Sequence, residues 1–443
     1  MNRFHIVKLG CPKNDADSEI LRGILESKGY KYTSNPANAN YIFINTCGFI
    51  EDAKKESIEV IFEYLMLKNE KKDLKVIPFG CLSERYYTEI LEEIPELDGL
   101  YGVLSPYTIV DKLENGVCMY KDTEPETIYE YKARSKPSEY YAYVKIGDGC
   151  NRNCTFCSIP SFKGKPKSRD IIDIKKEVEF LVNNGVKEII LVSQDNCLYG
   201  VDNYKKQALP ELLKTLNTIK GEFWIRVMYL HPDFLNKEII ETIHYTDKVV
   251  KYFDVPIQHI SSNILTRMGR IKKKQDLINL IEQIRKYPSA IRTTLMVGFP
   301  GETEEDFFEL IDFVKEIKFE RLGSFTYSKE EDTPSYNMPN HVDEETKIKR
   351  QEELMSTQQK ISSEVMNSFV GKTLKVLVEE QEDNVYIART YLDAPEIDGN
   401  IFFKCKKKIK LGEFVNVKVT GNYEYDLEGE VVENEYSQFI KPF

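Results

Sequence analysis

The chain has 443 residues, 41% of them hydrophobic and 30% charged, which is enough for two to four domains with cores of their own. A net charge of −11 argues against a protein built mainly to grip nucleic acid and favours a basic protein partner or a small substrate. Nine cysteines over this length are not a disulfide framework, Met1-Asn2-Arg3-Phe4-His5 lacks the apolar segment of a signal peptide, and no apolar run would span a bilayer. A reducing, cytoplasmic setting without membrane association is therefore expected.

Residues 1–117 read as alternating strands and helices. Phe4-His5-Ile6-Val7-Lys8-Leu9, Tyr41-Ile42-Phe43-Ile44 and Leu74-Lys75-Val76-Ile77-Pro78-Phe79 have the apolar character of buried strands. Helices are expected at Asp17–Lys28, at about 50–67 and after the third strand. This alternation predicts an α/β domain with a parallel sheet. A cysteine follows each strand: Cys11, Cys47 and Cys81, each beside a glycine (Gly10, Gly48, Gly80). The carboxyl ends of parallel strands share one edge of a sheet, where such folds hold ligands. Three thiols at equivalent positions can converge on a metal cluster; the alternative is three unrelated buried thiols. Residues 118–138 are polar and aperiodic and read as a linker or a surface excursion.

Gly149-Cys150-Asn151-Arg152-Asn153-Cys154-Thr155-Phe156-Cys157 opens the next region. Three thiols this close suit an iron–sulfur cluster, and three ligands for four irons leave one iron open. A zinc knuckle or structural thiols are the alternatives, but no His or Cys lies within the following twenty residues to complete a zinc site.

From 139 to 370 six strands alternate with helical stretches: Tyr141–Ile146, Glu188–Val192, Trp224–Tyr229, Val249–Val255, Arg292–Val297 and Arg321–Thr326. Six such units predict an incomplete (β/α) barrel whose site lies at the carboxyl ends of its strands. Those ends carry Ser193-Gln194-Asp195-Asn196, Leu230-His231-Pro232, Pro256-Ile257-Gln258-His259 and Gly298-Phe299-Pro300-Gly301-Glu302. Arg226, inside an apolar strand, needs an anionic partner, either a ligand carboxylate or a salt bridge. A charged helix from about 343 to 369 precedes a last segment, 371–438, whose short alternating strands predict a small antiparallel β-barrel. From residue 371 onward ten cationic side chains face fourteen acidic ones, Glu424 and Asp426 among the latter.

With both cysteine trios in place, the chain resembles the methylthiotransferase family of radical S-adenosylmethionine (AdoMet) enzymes over almost its full length. The motifs are Leu9-Gly10-Cys11-Pro12-Lys13-Asn14, Asn45-Thr46-Cys47-Gly48-Phe49-Ile50-Glu51, the Cys150–Cys157 run with its aromatic Phe156, and Ala388–Gly399 in the tail. The first, second and fourth resemble the branch that modifies an aspartate of ribosomal small-subunit protein twelve. The alternative is the branch acting on adenosine in transfer RNA, which tends to have Gln-Met where Pro12-Lys13 stand. The resemblance implies two 4Fe–4S clusters, one on Cys11, Cys47 and Cys81 and one on Cys150, Cys154 and Cys157, and a C-terminal TRAM domain. It further implies AdoMet contacts from Phe156, Gln194, Arg226, Gly298 and Gly301, with radical chemistry carried by the clusters and AdoMet rather than by a catalytic side chain. Partners implied are the ribosomal protein, free or in the ribosome, and an electron donor such as a flavodoxin or ferredoxin; the Lys404–Lys410 run reads as a contact to ribosomal RNA or as a solvated face. Cys197 departs from the family pattern and reads as a bystander near the mouth or as a persulfide carrier. Cys118 and Cys405 read as structural.

Overall fold

In a computed structural model of the chain, residues 2–137 and 139–432 are described. Positions 433–438 of the expected last domain, and Glu433, Glu435 and Lys441 of the charge count, lie outside them. The N-terminal domain holds β1 (Arg3–Lys8), β2 (Lys31–Tyr32), β3 (Tyr41–Thr46), β4 (Lys75–Gly80), β5 (Leu100–Tyr101) and β6 (Met119–Tyr120) in one parallel sheet of order β2-β1-β3-β4-β5-β6. Five of the six residues of β3 are buried, as a strand covered on both faces requires. Phe43 and Ile77 pack into the apolar cluster on one face with Ile20 and Leu21, and Ile42 and Val76 into that on the other with Ile61.

Two boundaries differ from expectation. Helix α1 runs Pro12–Ser27 rather than starting at Asp17, with Cys11 as its N-cap. Proline suits the first helical position because its missing N–H would have had no partner there. Helix α2 is Glu51–Glu70, and the single helix expected after β4 is split into Cys81–Arg85 and Tyr87–Glu93.

The segment expected to be a linker is a packed strap. Its first part forms β6, and Thr127, Tyr129, Arg134 and Ser135 are buried. The Arg134 guanidinium pairs with Glu19 of the first domain and, at 2.6 Å, with Glu177 of the second. Tyr131 donates its N–H to Asp173 at 2.8 Å. An extended strap held by individual polar contacts has no apolar period, which is why it reads as a linker.

The second domain starts with β7 (Tyr141–Lys145). A ribbon of β8 (Gly147–Asp148) and β9 (Lys167–Ser168) frames the cysteine loop. Then follow β10 (Glu188–Val192), β11 (Trp224–Val227), β12 (Tyr252–Asp254), β13 (Ala290–Val297) and β14 (Arg321–Thr326). The sheets β11-β10-β7 and β12-β13-β14 are parallel and joined by one bridge, Ile225 to Val249, giving the six strands of an incomplete barrel. After the helix Glu344–Asn367, the strands β15 (Thr373–Glu382), β16 (Val385–Arg389), β17 (Ile401–Lys404), β18 (Phe414–Asn422) and β19 (Leu427–Val431) close a five-stranded barrel of order β15-β16-β17-β19-β18. Its pairs are antiparallel except β17 with β19, which run parallel.

This small barrel floors the incomplete one. Glu188, at the amino end of β10, lies 2.6 Å from Arg226 and 2.6 Å from Arg389. Arg321, at the amino end of β14, pairs with Asp393. Tyr252 donates to Asp398 at 2.6 Å, and Tyr141 to Glu396 at 3.0 Å. The 388–399 motif is thus a plug under the second domain, leaving the strands' carboxyl ends as the mouth.

Candidate functional site

The three N-terminal cysteines sit at successive strand-to-helix turns along one sheet edge. Cys11 caps α1, Cys47 follows β3, and Cys81 opens the helix after β4. The turns interlock through glycine. A Cβ on Gly10 (φ +87°) would stand 2.7 Å from the Cβ and 2.9 Å from the Sγ of Cys47, and one on Gly48 would stand 2.9 Å from the backbone of Leu82. Asn14 and Asn45 lock the turns from below: Asn14 Nδ2 donates to the Leu9 carbonyl at 2.8 Å, and Asn45 Nδ2 to the Asn14 carbonyl at 2.9 Å.

The second trio lies on a loop pinned by its neighbours. Cys150 donates its N–H to the Gly164 carbonyl at 2.9 Å, Thr155 to the Met268 carbonyl at 3.1 Å, and Ser335 to the Thr155 carbonyl at 2.9 Å. Phe156 meets Phe299 edge-on, with ring centroids 6.4 Å apart. The two trios face each other. All six cysteines line one cavity of about 440 Å³, together with Phe156, Gln194, Tyr229, His231, Gln258, Arg270 and Arg292. Among the described residues no three acidic, histidine or cysteine side chains close on a single-ion site, so the thiols surround a volume rather than a point. Burial pushes the Cys81 and Cys157 thiols up to about 12, and those of Cys47 and Cys150 upward as well. Iron would have to displace those protons to bind.

The cavity fits a polar ligand beside a thiolate-held cluster. Both amide atoms of Gln194, Oε1 of Gln258 and Nε of Arg270 are buried there without a hydrogen-bond partner, and groups of this kind are costly unless a ligand or water satisfies them. Gln258 and Tyr229 hold their positions at positive φ, +71° and +54°, unusual for non-glycine residues. His231 contacts the Arg270 guanidinium, and burial with Arg270 and Arg152 nearby drives its pKa down to about 2, so the ring stays neutral.

Not every expected contact lies here. Arg226 is fully buried but away from the cavity: its Nε donates to Glu188 at 2.6 Å, its Nη1 to the Tyr391 carbonyl at 3.0 Å, and its plane covers the Tyr252 ring. It is the salt bridge of the two readings, because its donors are committed to the floor. Gly298 and Gly301 are not in the cavity lining either. Lys347 fills the space beside Gly298, and the Arg267 guanidinium that beside Gly301. Cys197 is fully buried in the apolar core below the mouth. Sequence reasoning missed Lys13, His231 as a partner of Arg270, and Arg270 itself. Lys13 stands two residues after a candidate ligand, the one signal available.

Comparison with known proteins matches three successive stretches. Residues 3–102 match an uncharacterized protein family, UPF0004, residues 144–314 match the radical SAM superfamily, and residues 370–432 match the TRAM domain. Among solved structures, the radical S-adenosylmethionine methyltransferase TsrM from Kitasatospora setae has a similar fold: TM-score 0.56, 13% identity, 87% of this chain and 81% of that one. The cobalamin-dependent S-adenosylmethionine radical enzyme OxsB follows at TM-score 0.51 and 12% identity, over 82% of this chain and 56% of that one. Curated relatives are far more similar in sequence. The ribosomal protein uS12 methylthiotransferase RimO of Petrotoga mobilis is 68% identical over 98% of this chain and 100% of its own length. Those of Thermosipho africanus and Thermotoga maritima are 53% and 51% identical, each over 97% of this chain and 99% and 100% of their own. At such identity, from one end of these relatives to the other, the chain belongs to the RimO family of methylthiotransferases.

Proposed function

We propose that the protein installs a methylthio group on the β-carbon of an aspartate in ribosomal protein uS12, using AdoMet and two 4Fe–4S clusters. The observation that carries this reading is the meeting of two cysteine trios from two domains in one cavity. Cys150, Cys154 and Cys157 would hold one cluster, and Cys11, Cys47 and Cys81 the other, since thiolates are the usual ligands of such clusters. When bound, these groups supply the radical that removes an unactivated hydrogen and the sulfur that replaces it. The chain's own part is positional. Gln194 and Arg270 offer unsatisfied donors and acceptors beside the second trio, where the polar end of AdoMet would lie. Phe156, packed edge-on against Phe299, walls that side against water. Gly298 and Gly301 shape the turn that carries Phe299.

The match to RimO relatives favours the ribosomal protein over transfer RNA, and the acidic tail suits a basic partner. We assign the reductant to a small electron carrier such as a flavodoxin or ferredoxin, and a ribosomal RNA contact to the Lys404–Lys410 run. No helix among the described residues is long and apolar enough to cross a membrane, and we place the reaction in the cytoplasm with the ribosome. The test is to incubate the reduced, reconstituted protein with AdoMet, sulfide and a uS12 peptide, then weigh the peptide. A gain of one methylthio group supports the reading. Methylthioadenosine in transfer RNA with no gain on the peptide overturns it.

A further inference from the structure

Five cationic side chains border the cavity: Lys13, Arg152, Lys163, Arg270 and Arg292. Three are neutralised. Arg152 lies 2.5 Å from Asp195, Lys163 3.1 Å from Asp148, and Arg292 3.2 Å from Asp254. Arg270 rests on the neutral His231, on the side of Phe156 and Cys157. Lys13 has neither kind of partner. It is 8% exposed, and among the described residues no carboxylate lies within ion-pair distance of its ammonium and no side chain or carbonyl accepts from it. The nearby carboxylates serve other lysines: Asp17 sits 2.5 Å from Lys145, and Asp148 is shared by Lys145 and Lys163.

Besides the Cys11 thiol, the group facing Lys13 is the Tyr229 ring, whose centroid lies 4.7 Å from Nζ. An aromatic face steadies a cation without neutralising it or accepting its hydrogen bonds in full. Tyr229 reaches this place at φ +54°, its N–H tied to Asp254 at 2.9 Å. A buried ammonium left open to a cavity is costly unless an anion completes it. Lys13 comes from the N-terminal domain one residue beyond the Cys11–Pro12 turn, and Tyr229 from the end of β11 in the second domain. The pair therefore spans the seam between the two domains.

We propose that Lys13, backed by Tyr229, is the specificity-determining residue that binds the side-chain carboxylate of the substrate aspartate. This inference rests on the proposed function. It gives that function a geometric basis, because a carboxylate seated on Lys13 lies in the cavity that all six cysteines line.

The test uses the reconstituted full-length protein and two labelled uS12 peptides, one with the target aspartate and one with asparagine in its place. Binding is measured by fluorescence anisotropy, with iron content determined for every variant. The wild type should prefer the aspartate peptide roughly tenfold or more, the scale of one charge-assisted hydrogen bond. Lys13→Met, equal in length and uncharged, should lower aspartate binding to the asparagine level and leave asparagine binding where it was. Lys13→Arg should restore part of the preference. Lys13→Gln gives the same reading if Lys13→Met does not fold. A charge-free variant that keeps the preference overturns the inference, as does one that loses iron while its loaded fraction still discriminates, which would make Lys13 a counter-charge to the cluster. A wild type that adds no mass to the aspartate peptide overturns the proposed function itself.

Discussion

The floor and the mouth of the incomplete barrel are both built from buried polar side chains, with opposite results. At the floor the named charges have counter-charges: Glu188 with Arg226 and Arg389, and Arg321 with Asp393. At the mouth Gln194, Gln258, Arg270 and Lys13 are left wholly or partly without partners. A buried network is stabilising only when it is complete. The floor's charges are balanced within the chain, although Glu188 Oε2 and Arg321 Nε take no hydrogen bond, whereas both amide atoms of Gln194 at the mouth are left unmatched. Burial of polar groups therefore does not by itself mark a site; several unmatched ones converging on one cavity do.

The largest expected effect is at the floor. Glu188→Ala leaves the buried Arg226 without an anion and Arg389 with Glu379 alone, and should cost about 3–5 kcal/mol of stability in denaturant unfolding. A loss under about 1 kcal/mol would erase the distinction between the two regions. Next is a pH effect at the mouth. His231 is held neutral at a pKa of about 2, below the ordinary 6.5 it regains on unfolding. Its contribution is thus full above pH 6.5 and falls as the pH drops below that, by roughly 2 kcal/mol at pH 5. His231→Asn should lose this slope, and parallel stability–pH curves for variant and wild type would remove the argument. Smaller still is Gln194→Leu, which deletes two unmatched amide atoms. Stability should change by less than about 1 kcal/mol, while AdoMet affinity in equilibrium dialysis falls roughly tenfold. A large drop in stability would class Gln194 with the floor.

The smallest effect concerns the outer surface of the C-terminal barrel. Asp426 accepts the Asn400 N–H at 2.7 Å and belongs to the barrel itself. Glu424 and Glu428 are exposed. Their joint change to lysine should leave stability within about 0.5 kcal/mol and raise KM for uS12 a few-fold at low salt. That difference should vanish as salt screens it, and a difference that persists at high salt would point to direct contact instead.

What could be read beforehand followed the range over which each signal acts. Cys150, Cys154 and Cys157 are close enough for spacing alone to mark them. Cys11, Cys47 and Cys81 span seventy residues but occupy equivalent places in a repeated strand–helix unit, so the topology gathers them. Arg226 keeps two readings in the sequence, ligand contact or salt bridge, because the sequence shows a charge in an apolar strand and hides its partners, Glu188 on the adjacent strand and the carbonyls of Thr390 and Tyr391. Lys13 and Arg270 were missed for the converse reason: lacking a partner is a property of the folded neighbourhood, and no local pattern encodes it. The strap was mistaken for a linker because the anchor Arg134 draws on two acids from different domains.

The plug formed by residues 388–399 bears on how such enzymes can be recombined. Cutting the chain before β15 would not remove an appendage. It would strip Arg226, Arg321 and Arg292 of partners supplied by Thr390, Tyr391, Asp393 and Asp398 and open the second domain from below. A chimera that takes its C-terminal barrel from another relative inherits that joint along with any new surface. The exchange should succeed only where donor and recipient carry the same pairings across it, whatever substrate the donor serves.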